Sequence, residues 1–172
     1  VFSVDIADCS NVSNSECWKF LQSNDLNVEH VIDTFNEIKN EGVDIIFIDS
    51  LHEADHVKKL ICNYFKFLKQ DGAIFVDDID SLPLRLKKNI WGSIVSDLTL
   101  DAIKEFYNNN YDKCSLKIFY DKDENGLAML STNSKFGTQP TSVNKVWNYN
   151  IFFKIIYPLL KKGSKFIKSI FK

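Results

Sequence analysis

Four absences bound the chain before any pattern is read. The four cysteines (Cys9, Cys17, Cys62, Cys114) form no C-x-x-C pair, which argues against a cysteine-held metal or redox motif and favours a reducing, cytoplasmic setting. There is no G-x-G, and the six glycines are dispersed, so the glycine-rich turn that cradles a nucleotide phosphate is missing. No run of about 18 uncharged apolar residues occurs, which leaves no candidate for a membrane-spanning helix. No G-x-S-x-G elbow exists, and Ser50 has no evident triad, which disfavours a hydrolase. The chain opens Val-Phe-Ser-Val-Asp-Ile without an initiator Met or a leader. The reading therefore expects a fragment that begins inside a buried strand.

What is present suits one globular domain: 172 residues, 45% apolar and 26% charged. The net charge of −2 hides an asymmetry. From Lys145 onward there are seven lysines and no acid, whereas residues 1–144 carry 14 basic and 23 acidic groups, a balance of −9. An acidic body gives no footing for nucleic acid. The expected organisation is a core over 1–133, a polar linker over 134–144 and a basic aromatic tail over 145–172.

The element pattern alternates. Val1–Ile6 is apolar and β-branched, a strand. Ser15 is placed to cap a helix reaching Ser23, with Trp18 and Leu21 inward. Val28–Ile32 reads as a short strand and Phe35–Asn40 as a short helix broken by Gly42. Val43–Ile48 is an almost continuous apolar run, as in a parallel strand buried on both faces. Ala54–Lys69 carries a helical apolar stripe that ends at Asp71-Gly72. Ala73–Val76 is another buried strand. A basic stretch (Arg85, Lys87, Lys88) precedes a helix from Ser93 to Tyr107. Leu116–Tyr120 and Leu127–Ser131 form a hairpin around Asp121–Gly126. The order predicts a three-layer α/β fold, mostly parallel, with an antiparallel C-terminal hairpin.

In such sheets ligands sit beyond the carboxyl ends of the strands, where Asp5, Asp33, Asp49, Asp77 and Asp78 fall. Asp49-Ser-Leu-His52 sets an imidazole three residues after a strand-end acid. If the next strand is a neighbour, Asp77 and Asp78 join them on one rim. Clustered carboxylates repel and need a counter-charge. A hard cation such as Mg²⁺ supplies one, binding oxygen ligands while keeping open positions. A hydroxyl on that cation becomes more acidic, and a neutral His52 can take its proton. Asp80 is an alternative to Asp77 or Asp78. His56, one helical turn after His52, is expected to face solvent, and His30 has no assigned role. The bland reading of each acid is a cap or turn former.

The segments VFSVDI, VDIIFIDSLHEADHV and FKFLKQDGAIFVDDID resemble the class I S-adenosylmethionine-dependent methyltransferases, in the metal-dependent small-molecule O-methyltransferase branch that includes macrolide-sugar methyltransferases and cephalosporin-hydroxylase-like proteins. The resemblance covers about three-quarters of the chain. It implies a Rossmann-like fold and methyl transfer from S-adenosylmethionine to a hydroxyl of a sugar or other small metabolite. It implies that Asp5 binds the cofactor ribose and that Asp33 is the polar residue near the adenine. Asp49, Asp77 and Asp78 would be Mg²⁺ ligands and His52 the general base. The family's first strand and glycine-rich loop have no counterpart here. The reading therefore expects unpaired edges and exposed apolar surface beside Val1–Ile6, with no tight cofactor binding by residues 1–172.

Two other readings stay open: the same fold and cofactor without a metal, and a non-catalytic α/β scaffold. Lys, Trp, Tyr and Phe in residues 145–172 suit the surface of an anionic membrane; the alternative is a helix docked on the body or on a partner.

Overall fold

The computed structural model describes residues 1–120 and 126–147. Phe2–Asp5 (β1) pairs in parallel with Lys19–Gln22 (β2), Phe2 opposite Lys19 and Asp5 opposite Gln22. The segment expected as a helix after Ser15 is thus a strand. Its short apolar stretch gains ladder hydrogen bonds beside β1, and the Trp18 indole donates to Ser3 Oγ at 2.9 Å.

Residues Val28–Thr34 form a helix (α1) where a strand was expected. The spacing explains it: Val28, Val31, Ile32 and Phe35 recur at helical intervals, and Val31, Ile32 and Phe35 are buried. Asn36–Glu41 (α2) follows and ends at Gly42, whose φ of 72° lies in the left-handed region.

Val43–Ile48 (β3) forms over the expected residues, and Ala54–Tyr64 (α3) buries Ala54, Val57, Leu60 and Ile61 from its stripe. The helix stops sooner than its pattern suggests. A 3₁₀ turn, Phe65–Phe67, leads into Leu68–Asp77 (β4), which begins before Asp71-Gly72. Asp71 takes a positive φ of 64° inside that strand, and the β3–β4 register slips between Val43 and Ile45. Leu82–Leu86 (α4) and Ile90–Asn109 (α5) precede Cys114–Phe119 (β5) and Leu127–Thr132 (β6). The turn of this hairpin, at 121–125, lies outside the described residues.

The sheet is in two parts, β1–β2 and β3–β4–β6–β5. Strands β3 and β4 are parallel, while β6 runs antiparallel to both β4 and β5. This is the α/β, Rossmann-like arrangement the sequence predicts. Helices α3 and α5 cover one face of the larger sheet, packing on Ile48, Ile74, Val76, Ala128 and Leu130. The opposite face corrects the expectation for β3. Ile45 and Phe47 are 64% and 58% exposed, so the run is buried on one face only. The α1–α2 pair packs against Phe2, Val4 and Leu21 from the small sheet, Val43 of β3, Tyr64 of α3 and Phe67 of the 3₁₀ turn, bridging the small sheet to the rest of the body.

Residues 134–147, expected as a linker and the start of the tail, run packed against the body. Thr141 exchanges hydrogen bonds with the buried Asn110 side chain, and Val143 and Trp147 join the core. The Trp147 indole donates to Asp101 at 2.7 Å, with Lys58 and Lys145 over its ring. The Lys145 ammonium and the Trp147 indole hold the Asp101 carboxyl below its ordinary value, and Asp101 raises Lys145 in return. The tail from residue 148 lies outside the described residues.

Candidate active site

The carboxyl ends of β1 to β4 carry most of the residues singled out above. The Ile48–Val76 register sets Asp49 beside Asp77 at the tips of adjacent strands, as the sequence requires. The run continues into Asp78, whose φ of 56° is left-handed. A non-glycine residue held there stores backbone strain of the kind found in functional turns. Asp80 is engaged in the turn that leads into α4, its Oδ1 accepting from the Leu82 amide at 2.9 Å.

His52 sits where the chain leaves β3 for α3. Its Nε2 lies 3.9 Å from Asp49 Oδ1, beyond hydrogen-bond range, and is buried with no hydrogen-bond partner. Its carbonyl accepts from the Thr99 hydroxyl of α5 at 2.8 Å, which fixes the loop. An unpaired buried ring nitrogen costs free energy and is a proton acceptor in waiting when neutral.

The anticipated cation hollow is not formed. Among the described residues, no three His, Cys, Asp or Glu side chains converge closely enough to hold a metal ion. Oxygen donors of the right chemistry stand on adjacent strands, but Asp49, Asp77 and Asp78 as arranged do not fit a bound Mg²⁺.

The two residues named for the cofactor diverge. Asp5 is exposed at the tip of β1, with Oδ1 accepting from the Ala7 amide at 2.7 Å, a position compatible with ribose hydroxyls. Asp33 is not at a strand end. With 28–34 helical, it lies exposed on α1 and lines a shallow hollow of about 340 Å³ with Glu29, Lys39 and Lys66. A neighbouring hollow of about 390 Å³ is lined by Leu26, Asn27, Val28, Glu29, Asn63 and Lys66. Neither touches Asp49, His52, Asp77 or Asp78.

Sequence reasoning missed a second cluster on the same rim. Asp25, just beyond β2, places Oδ2 3.1 Å from His56 Nε2, and Ser50 Oγ is 3.4 Å from the same nitrogen. The Tyr64 hydroxyl donates to the Asp25 carbonyl at 2.8 Å. Burial, and secondarily the Asp25 charge, push the Tyr64 phenol up to about 12, so it stays a donor. His56, expected in solvent, is therefore half-buried and paired. Asp25 and Ser50 meet one ring nitrogen, whereas a serine hydrolase uses both, so the trio is not a charge-relay triad. Reading Lys19–Gln22 as the second strand would have put Asp25 at its tip.

With this geometry in hand, the comparisons show what the chain is similar to. Residues 9–79 match the family described as Methyltransferase domain, and the Rossmann-like sheet with its antiparallel hairpin is a fold shared with solved methyltransferase structures. The chain is similar to the MycE methyltransferase from the mycinamycin biosynthetic pathway in complex with Mg and SAH, at 15% identity and a TM-score of 0.54 over 86% of this chain and 39% of that one. It is similar to the same enzyme in complex with Mg, SAH and mycinamycin VI, at 15% identity and a TM-score of 0.51 over 86% and 38%. The chain thus spans about two-fifths of the length of these relatives. No curated protein matches it.

Proposed function

We propose that the protein transfers a methyl group from S-adenosylmethionine to a hydroxyl of a small molecule, with a sugar as the acceptor class. The carrying observation is the buried, unpartnered Nε2 of His52 at the carboxyl rim of a methyltransferase fold. Support for the cofactor and for a small-molecule acceptor comes from the MycE structures, which hold SAH and, in one case, mycinamycin VI.

Bound S-adenosylmethionine supplies an electrophilic methyl group. Asp5 offers its exposed carboxylate to the ribose hydroxyls. His52 Nε2 takes the acceptor's hydroxyl proton as that oxygen attacks, and the proton remains on the imidazole until solvent removes it. Asp49, 3.9 Å away, favours the transient imidazolium by charge. Mg²⁺ assistance is a separable part of the reading: it requires Asp49, Asp77 and Asp78 to draw together, and no step above depends on it. The setting is cytoplasmic, with the lysine-rich tail beyond Trp147 touching an anionic membrane surface.

Radiolabelled methyl transfer by the native protein tests this. His52→Ala should lower turnover by about 10²–10⁴-fold with the thermal midpoint nearly kept. Unchanged turnover would overturn the role of His52, and absence of transfer by the native protein would favour a non-catalytic scaffold. Turnover that survives chelation but not His52→Ala would retain the chemistry without the metal.

A further inference from the structure

The chain between β4 and α5 has an unusual surface. Within the acidic body, residues 81–91 (SLPLRLKKNIW) hold three cations and no acid. Leu84 is turned inward, its Cδ1 meeting α5 at Gly92. Leu82 and Leu86, four residues apart, share the other side of α4 and are 57% and 75% exposed, and Ile90 at the start of α5 is 66% exposed. Single exposed apolar residues are ordinary, whereas three in nine residues among cations form a patch.

The patch is tied to α5 at two points. The Arg85 guanidinium pairs with Asp97 of α5, and the Asn89 side chain caps α5 by accepting from the Gly92 amide at 3.1 Å. Between them Lys88 takes a left-handed φ of 57°, which turns the chain so that exposed Leu86, Lys87 and Lys88 stand together at the bend. Arg85 is committed to Asp97, so Lys87 and Lys88 are the cations offered outward.

We propose that residues 82–90 dock on an anionic lipid surface, with Leu82, Leu86 and Ile90 in the headgroup–acyl boundary and Lys87 and Lys88 against the headgroups. Apolar side chains flanked by lysine meet both demands of such an interface. The lysine-rich, acid-free stretch from Lys145 onward is a second, independent pointer to the same partner chemistry. Single anchors of this kind bind marginally, and stable association takes two signals. Leu82, whose amide donates to Asp80, lies five residues beyond Asp77 in the chain, so the docked element follows directly on the strand that carries part of the candidate active site. Docking stands independently of the methyl-transfer reading.

Co-sedimentation of the whole chain with phosphatidylcholine vesicles containing a quarter phosphatidylglycerol tests it without any activity assay. Wild type should partition onto these vesicles and not onto phosphatidylcholine alone. Leu86→Glu with Ile90→Glu should weaken partitioning at least tenfold. Lys87→Ala with Lys88→Ala should weaken it severalfold at low salt and little at high salt. All these positions are exposed, and circular dichroism checks that each variant folds. Partitioning unchanged by the glutamate pair would overturn the proposal and leave any binding to the tail. A dimer that the glutamate pair dissolves, without loss of vesicle binding, would also overturn it and make the patch a self-interface.

Discussion

His56 shows how a single side chain joins parts of the molecule that are distant in sequence. Its Nε2 reaches the Asp25 carboxylate beyond β2 and the Ser50 hydroxyl beyond β3. With Tyr64 on the Asp25 carbonyl, this pins the turn after β2 to α3. His56→Ala leaves the partly buried Asp25 carboxylate without its imidazole, which should cost about 1–2 kcal/mol. Urea unfolding measures this, and the Asp25→Asn single and double variants isolate the pair's coupling. At this scale the sequence located Asp49 and His52 just beyond a clear apolar strand, and the structure has them there. It did not mark Asp25 or His56. Nothing local distinguishes a paired histidine on a helix from a solvated one, and Asp25 gains meaning only once β2 is known to be a strand.

At the scale of elements, the strongly patterned segments formed with their expected type, and two short ones exchanged identity. Val43–Ile48 and the α3 stripe depend on many residues with one periodicity. Lys19–Gln22 and Val28–Thr34 are four and seven residues long, and for such stretches tertiary contacts outweigh local preference. The turn between α2 and β3 was legible because Gly42 does what only glycine does cheaply. Its φ of 72° is left-handed, and an added Cβ would meet the Phe67 carbonyl oxygen at 2.9 Å and the Phe136 ring at 2.7 Å. Gly42→Ala should therefore destabilise the chain by about 1–3 kcal/mol, read from the thermal unfolding midpoint. At Gly137, φ is positive but a Cβ meets nothing within 4 Å.

For the whole molecule, the defining feature is a sheet in two parts joined by a helical layer on one side. The β3 strand pairs with β4, while Ile45 and Phe47 stand exposed on the face away from α3 and α5. An apolar face beside a strand edge of this kind promotes association between copies. Phe47→Lys should lower light scattering at high protein concentration while changing stability by no more than about 0.5 kcal/mol. Scattering that stays unchanged would show that the face is not a contact between copies.

The sequence by itself determined the fold class, the acidic rim and the contrast between an acidic body and basic segments. These follow from periodicity and composition, which are local and additive. The tertiary structure alone decided which side chains meet. It set Asp49 beside Asp77 without gathering a metal-binding trio, joined Asp25 to His56, and moved Asp33 onto a helix away from the rim. Side-chain convergence depends on strand register, helix placement and backbone angles acting together, and no stretch of sequence encodes these separately.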